Sequence, residues 1–138
     1  MCRETFCWLP LAYCLKEKVL VLHGGLYSDD DVTLDHLRAV DRFREPPDSG
    51  VMCETLWSDP QPEPGRAASK RGCGIQFGAP LLVALPLSSP TAGTLFERGV
   101  VLCAGPDVTK SFLQRNGLEL LVRSHEVRTR VQHAVTAH

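Results

Sequence analysis

Two apolar runs that each end in a histidine most strongly constrain how this 138-residue chain folds. Residues 18–22, Lys-Val-Leu-Val-Leu, stop at His23-Gly24-Gly25, and residues 118–122 are followed by Arg123-Ser124-His125. Such runs are typical of buried strands, and ligands gather at the carboxyl ends of strands in α/β proteins. Because neutral imidazole is the commonest metal ligand, His23 and His125 are candidate ligands. On these residues alone, a hydrogen-bonded structural histidine remains the more frequent alternative.

The rest of the chain reads as short elements joined by loops rich in proline and glycine. Thr33 is a good N-cap for a helix that runs to about Phe43, and its apolar face repeats at helical spacing. A second helix is predicted with Pro106 as its first residue and Asn116-Gly117 as its stop. Three further segments are predicted: a short helix or strand in 6–15, a short helix in 51–56 and a surface loop in 61–70.

Charge and cysteine usage exclude several function classes. The formal net charge of -1 gives no field that draws the chain to nucleic acid or to an anionic membrane. The longest apolar run, 79–87, is interrupted by prolines and is far shorter than the roughly 20 residues of a membrane helix. The six cysteines form no Cys-x-x-Cys pair, and the start lacks a signal-peptide layout. These features predict an intracellular chain with free, mostly buried thiols.

Five short motifs occur in an order that is highly specific when they are read together. The motifs are His23-Gly24-Gly25-Leu26, Leu56-Trp57-Ser58-Asp59-Pro60, Ser69-Lys70-Arg71-Gly72, Phe77-Gly78 and Arg123-Ser124-His125-Glu126. With these motifs the chain resembles, over residues 6–78 and 105–127, the phosphoprotein phosphatase family of metal-dependent serine/threonine protein phosphatases. The resemblance implies an α/β chain with part of a calcineurin-like metallophosphatase fold, which is two packed mixed β-sheets flanked by helices.

The resemblance also implies a chemistry and a set of site residues. Enzymes of this family hydrolyse phosphoserine and phosphothreonine in proteins with water activated by a pair of divalent metals, which are manganese, iron or zinc. His23 and His125 match two histidine ligands of the same metal, and Arg71 matches an arginine that holds the substrate phosphate. Asp59 is expected in a loop near the site without a catalytic role, and Trp57 in the core. The remaining histidines match no ligand and are expected on the surface; they are His36, His133 and His138.

Departures from the family pattern predict a partial, incomplete domain. The motifs Gly-Asp-x-His-Gly, Gly-Asp-x-x-Asp-Arg-Gly and Gly-Asn-His-Glu do not occur in the sequence, so ligands for at most one metal and no catalytic side chain are retained. Residues 1–138 are predicted to be one partial catalytic domain, with a non-family insertion at 79–104 and a divergent tail at 128–138.

The sequence leaves three alternative hypotheses for the function of this chain. It is expected to be a phosphatase fragment that is inactive by itself, in the cytoplasm or nucleus, acting on phosphoproteins and not on nucleic acid or membranes. One alternative is a noncatalytic isoform that binds phosphatase substrates or regulators. The other is a mis-assembled gene product that forms no stable protein.

Overall fold

A computed structural model describes residues 2–78, 101–103 and 107–126. Within these ranges the chain forms four helices and seven strands, and no helix there is long and apolar enough to cross a membrane. The helices are α1 Cys2–Cys7, α2 Leu34–Ala39, α3 Val51–Trp57 and α4 Val108–Arg115. The strands are β1 Ala12–Leu15, β2 Val19–Leu22, β3 Asp59–Gln61, β4 Arg66–Ala68, β5 Ile75–Gly78, β6 Val101–Cys103 and β7 Leu120–Arg123.

The four-stranded sheet has the order β1-β2-β7-β6 and brings the two histidine-bearing strands together. Strands β2 and β7 pair in parallel, with Val21 opposite Val122. Both predicted apolar strands are therefore present, and their carboxyl ends lie at the same edge. Strands β1 and β6 flank this pair in antiparallel orientation. The backbone of β6 falls inside the predicted insertion 79–104, whose other residues, like the predicted tail 128–138, lie outside the described part.

The three-stranded sheet has the order β3-β5-β4 and corrects the predicted loop at 61–70. Gln61 ends β3 and is buried, while Arg66–Ala68 form β4, which pairs antiparallel with β5. The Arg66 guanidinium donates to the backbone oxygen of Tyr27 and to the Asp30 carboxylate at 2.8 and 2.6 Å. These partners are 39 and 36 residues away, so the local polar composition of 61–70 did not reveal the strand.

The two sheets and helix α4 share one apolar core. Leu20 of β2 and Leu121 of β7 are almost fully buried, as is Phe77 of β5. Tyr27 and Phe112 pack with their ring centroids 5.5 Å apart, which joins α4 to the segment after the first histidine. This packing confirms the α/β architecture of mixed sheets with helices.

The predicted helices exist, but two of their ends were misplaced. Helix α2 begins after Thr33, whose hydroxyl accepts from the His36 backbone N–H, and ends at Ala39 rather than near Phe43. It stops early because the Asp41 carboxylate accepts from the Phe43 N–H at 3.2 Å, a local turn that competes with the helix. Helix α4 begins at Val108 with Asp107 as its N-cap, while Pro106 lies outside the described residues.

The four thiols whose side chains the structure describes are free but less buried than predicted. Among the cysteines whose side chains are described, Cys53 is buried in α3 while Cys7, Cys14 and Cys73 are only partly covered. Cys14 lies on β1, which pairs only with β2 among the described strands, and its side chain packs against the core while staying partly exposed.

Candidate metal and phosphate site

The two predicted histidines lie side by side at the shared edge of β2 and β7. Their ring centroids are 4.8 Å apart, with an angle of 54° between the planes. The parallel register that places Val21 opposite Val122 also brings the chain segments after them together. The Ser124 N–H donates to the His23 backbone oxygen at 3.2 Å and extends this pairing past the strand ends. Backbone pairing therefore fixes the distance between the rings.

Each histidine keeps one ring nitrogen for a ligand. His23 Nδ1 is 2.9 Å from the Ser124 hydroxyl, which leaves Nε2 without a described partner. His125 has a φ of 75°, and its Nδ1 is buried and forms no hydrogen bond among the described residues, although Asp59 Oδ1 lies 3.1 Å away. Burial lowers the pKa of His125, and nearby positive groups add to this effect against the opposing charge of Asp59. The neutral form that binds metals is thereby favoured.

Glycines after His23 let the end of β2 approach helix α3 closely. A Cβ atom on Gly24 would lie 2.4 Å from the Leu56 carbonyl carbon, and one on Gly25 would lie 2.1 Å from the Phe77 ring. The Gly24 N–H donates to the Thr55 backbone oxygen at 2.8 Å. Packing at this turn therefore requires glycine at both positions, 24 and 25.

Arg71, the predicted phosphate ligand, lies beside the histidines in the turn between β4 and β5. Its Nε donates to Asp59 Oδ2 at 2.6 Å, and its side chain is 39% exposed. Asp59 was predicted in a loop, but it begins strand β3 and is buried. Burial pushes the pKa of Asp59 upward, yet the Arg71 hydrogen bond and the surrounding positive charges outweigh it and lower that pKa. The hydrogen bond and charge of Asp59 in turn raise the pKa of Arg71.

Arg123 is a structural part of the site that the sequence reasoning did not single out. Its side chain is fully buried, and its guanidinium donates to the Gly24 backbone oxygen, to Asp59 Oδ1 at 3.0 Å and to Glu126 Oε2 at 2.7 Å. The signal in the sequence was an arginine placed directly between an apolar strand and the Ser-His pair. Burial of that charge requires partners, and Asp59 supplies one of them.

Trp57 was predicted in the core, but it is 41% exposed and meets the His125 ring edge-on, with centroids 5.6 Å apart. It lies at the last position of α3, where the helix leaves the core, which explains the exposure.

The predicted surface position of His36 agrees with the structure. His36 is exposed, and its Nδ1 accepts from the Thr33 N–H at 3.1 Å. The other two predicted surface histidines, His133 and His138, lie outside the described residues.

The described donors make an incomplete metal site. No group of three or more His, Cys, Asp and Glu side chains is placed to hold a metal within residues 2–78 and 107–126. The two neighbouring imidazoles, one of which has a buried nitrogen without a hydrogen bond, fit part of the ligand set of a single divalent ion.

Comparison with protein families matches residues 1–128 to the calcineurin-like phosphoesterases. The chain belongs to this family. It is 49% identical over 125 residues to serine/threonine-protein phosphatase 5 of Homo sapiens, and 51% identical over 125 residues to that of Solanum lycopersicum. It is also 47% identical over 127 residues to serine/threonine-protein phosphatase T of Schizosaccharomyces pombe. Each alignment covers 91% of this chain.

A solved structure supports the same family and fold. It is a protein serine/threonine phosphatase from Saccharomyces cerevisiae, with similarity to human phosphatase PP5. The TM-score is 0.67 at 36% identity, over 91% of this chain and 30% of the other. This calcineurin-like phosphoesterase chain spans 20% of the human relative, 18% of the tomato relative and 21% of the fission-yeast relative. It therefore corresponds to about a fifth of the length of these curated relatives.

Proposed function

We propose that this chain supplies part of the phosphate- and metal-binding surface of a serine/threonine protein phosphatase. The observation that carries the proposal is the adjacency of His23 and His125, with ring centroids 4.8 Å apart, beside the Asp59–Arg71 pair. The family hydrolyses phosphoesters, and the named relatives are serine/threonine-protein phosphatases. The substrates in this proposal are proteins that carry phosphoserine or phosphothreonine.

His23 and His125 would hold one divalent ion of manganese, iron or zinc. Such an ion, together with a second one, supplies an acidified water and neutralises charge on the phosphoryl oxygens. His23 is oriented by the Ser124 hydroxyl, which fixes its ring and leaves Nε2 for binding. The lowered pKa of His125 keeps that ring in the neutral form. Two imidazoles do not select among the three metals.

Arg71 would bind the substrate phosphate. Its guanidinium is partly exposed, and a planar guanidinium matches two phosphate oxygens at once. The positive charge persists at every working pH, since Asp59 raises an already high pKa. Arg71 therefore contributes charge and orientation and takes no part in proton transfer.

We further propose that the 138 residues alone do not hydrolyse phosphoesters. The two histidines are a minority of the donors that two ions need, no third described His, Cys, Asp or Glu joins them in a metal-binding group, and the Gly-Asn-His-Glu motif of the segments that carry the family's ligands and general acid does not occur in the sequence. Hydrolysis then requires metal ligands and a proton donor beyond those supplied here. A cytoplasmic or nuclear location remains part of the proposal.

A metal-binding and activity assay tests both statements. We would titrate the chain with Mn²⁺ and follow release of phosphate from a phosphoserine peptide, with His23→Ala as the site variant and His36→Ala as the matched control. His23→Ala should weaken Mn²⁺ binding about tenfold or more, since loss of even outer-shell partners costs that much. Equal Mn²⁺ binding by wild type and His23→Ala would contradict the site. Hydrolysis that His23→Ala abolishes would contradict the proposed inactivity.

A noncatalytic binding role is the second candidate. Exposed aromatic side chains favour it, since Trp8 and Phe43 are 67% and 52% exposed and lie in a tilted contact with ring centroids 4.6 Å apart. Exposed apolar clusters of this kind are typical of protein-binding surfaces. Loss of a partner on Trp8→Ser, with Mn²⁺ binding unchanged, would support this role.

A further inference from the structure

The two oxygens of the Asp59 carboxylate accept hydrogen bonds from two different arginines, Arg123 and Arg71. Oδ1 accepts from Arg123 Nη2 at 3.0 Å, and Oδ2 accepts from Arg71 Nε at 2.6 Å. The Arg123 side chain is 0% exposed, that of Asp59 10% and that of Arg71 39%. The three residues thus form a line from the interior to the surface, with Asp59 in the middle.

The inner part of this line is fixed by the fold. Arg123 donates to the backbone oxygen of Gly24 and to Glu126, so its guanidinium is bound on several sides. Asp59 sits in β3, where it pairs with Gln76 of β5 in parallel register. Charge-assisted hydrogen bonds to a buried guanidinium leave the Asp59 carboxylate with one orientation.

The outer part of the line depends on Asp59. Arg71 lies in the turn of residues 69–74, and an arginine in such a turn has many rotamers of similar energy. Its Nε–H is committed to Asp59, while the two terminal nitrogens have no hydrogen-bond partner among the described residues. We infer that Asp59 is a positioning residue that orders Arg71 and presents its two terminal nitrogens as the phosphate-binding edge. This inference rests on the proposed function, because it assigns a cause to the orientation of the proposed phosphate ligand.

If charge alone decided phosphate affinity, Asp59 would weaken phosphate binding, whereas a positioning role means that Asp59 strengthens it. The carboxylates of Asp59 and Glu126 balance the guanidinium groups of Arg71 and Arg123, so the cluster has no formal excess of positive charge. Removing the Asp59 charge would make the site more positive and would tighten phosphate binding if charge decided affinity. Positioning predicts that phosphate binding weakens. The sign of the change therefore separates the two explanations.

The experiment measures the Kd of inorganic phosphate for the full chain and three variants by NMR titration. Asp59→Asn should raise the Kd about threefold to tenfold, which corresponds to the cost of ordering one long side chain on binding. Arg71→Ala should remove most binding, and Asp30→Asn, which breaks the corresponding pair with Arg66, should leave the Kd unchanged.

The outcomes separate this inference from the proposed function. If wild type fails to bind phosphate, or Arg71→Ala binds as well as wild type, the proposed phosphate site is wrong and the inference with it. If Arg71→Ala loses binding while Asp59→Asn binds equally or more tightly, only the positioning role is overturned.

A measurement on the unmodified chain tests the inference even if the Asp59→Asn variant does not fold. The Nε–Hε resonance of Arg71 should be shifted downfield, protected from solvent exchange and rigid on the nanosecond timescale, because it is bonded to a carboxylate. It should keep this signature when phosphate binds, since phosphate takes the opposite edge. A mobile, rapidly exchanging Arg71 Nε–Hε in wild type would overturn the inference.

Discussion

His23 and His125 come from distant parts of the chain, yet their imidazole rings lie with centroids 4.8 Å apart. The parallel pairing of β2 with β7 produces this proximity, and the hydrogen bond from the Ser124 N–H to the His23 oxygen extends it beyond the strands. The site is thus built on backbone that cannot shift without breaking the central sheet. Rigid strand ends are suitable supports for metal and phosphate ligands, which need fixed positions.

Trp57 should report metal binding by fluorescence. Its indole ring meets the His125 imidazole edge-on, with ring centroids 5.6 Å apart, so an Mn²⁺ ion held by His125 would lie near the fluorophore and should quench it. The other tryptophan, Trp8, packs against Phe43 at the surface in a tilted ring contact. Trp57→Phe should therefore abolish the Mn²⁺-dependent change, whereas Trp8→Phe should retain it. A change that persists in Trp57→Phe would contradict this placement of the site.

Gly24→Ala should destabilise the fold strongly. The added Cβ would lie 2.4 Å from the Leu56 carbonyl carbon and 2.5 Å from the Trp57 nitrogen, and backbone atoms cannot move aside as side chains do. We expect a loss of about 3 kcal/mol, the upper end for overpacking, measured by urea denaturation. Gly117→Ala is the control, since its Cβ would meet open space and only its φ of 65° is unfavourable. That variant should lose about 1 kcal/mol, and equal losses would contradict the argument.

Asn116→Ala should destabilise the junction of helices α2 and α4. The Asn116 side-chain oxygen accepts from the Leu34 N–H at 2.9 Å, and its nitrogen donates to the Phe112 oxygen at 2.9 Å. One side chain thus satisfies backbone groups at the start of one helix and the end of another. Loss of these bonds should cost about 1–2 kcal/mol in urea denaturation. Gln114→Ala, at an exposed position of α4, should change stability by less than about 0.5 kcal/mol.

The Asp30–Arg66 pair should add stability that disappears in acid. The Arg66 hydrogen bond lowers the pKa of Asp30 below its ordinary value of 3.8, and the charges of Arg66 and Arg115 add to the effect. A lowered pKa means that the unfolded chain binds this proton more readily. The contribution is therefore complete above pH 3.8 and is lost as the pH falls through the folded value. NMR titration of the Asp30 carboxyl carbon measures that value.

Substitution and salt give the checks on this pH dependence. Arg66→Gln should return the pKa of Asp30 toward 3.8. Salt at 1 M should move it in the same direction, because the Debye length is then only about 3 Å. An Asp30 pKa that is the same in Arg66→Gln and wild type would show that another group sets it. The effect on stability should be small, since the Asp30 side chain is 60% exposed.

Local signals in the sequence were sufficient for the elements and for part of the site. Apolar runs at 18–22 and 118–122 gave both central strands, because a buried strand needs a continuous apolar stretch. Thr33 gave the start of α2, since capping involves only residues within one helical turn. The motif order gave the family, which the match over residues 1–128 confirms. The roles of His23, His125 and Arg71 remain predictions, which the experiments above test.

Only the tertiary structure decided which of these residues contact each other. Asp59 contacts Arg71 12 residues away and Arg123 64 residues away, and neither separation is marked by any local pattern. Trp57 was placed in the core from its residue type, although it ends α3 at an exposed position. The sequence thus determined which residues form strands, caps and tight glycine turns, because these depend on neighbours along the chain. The fold decided which charges meet, because burial and ion pairing depend on neighbours in space.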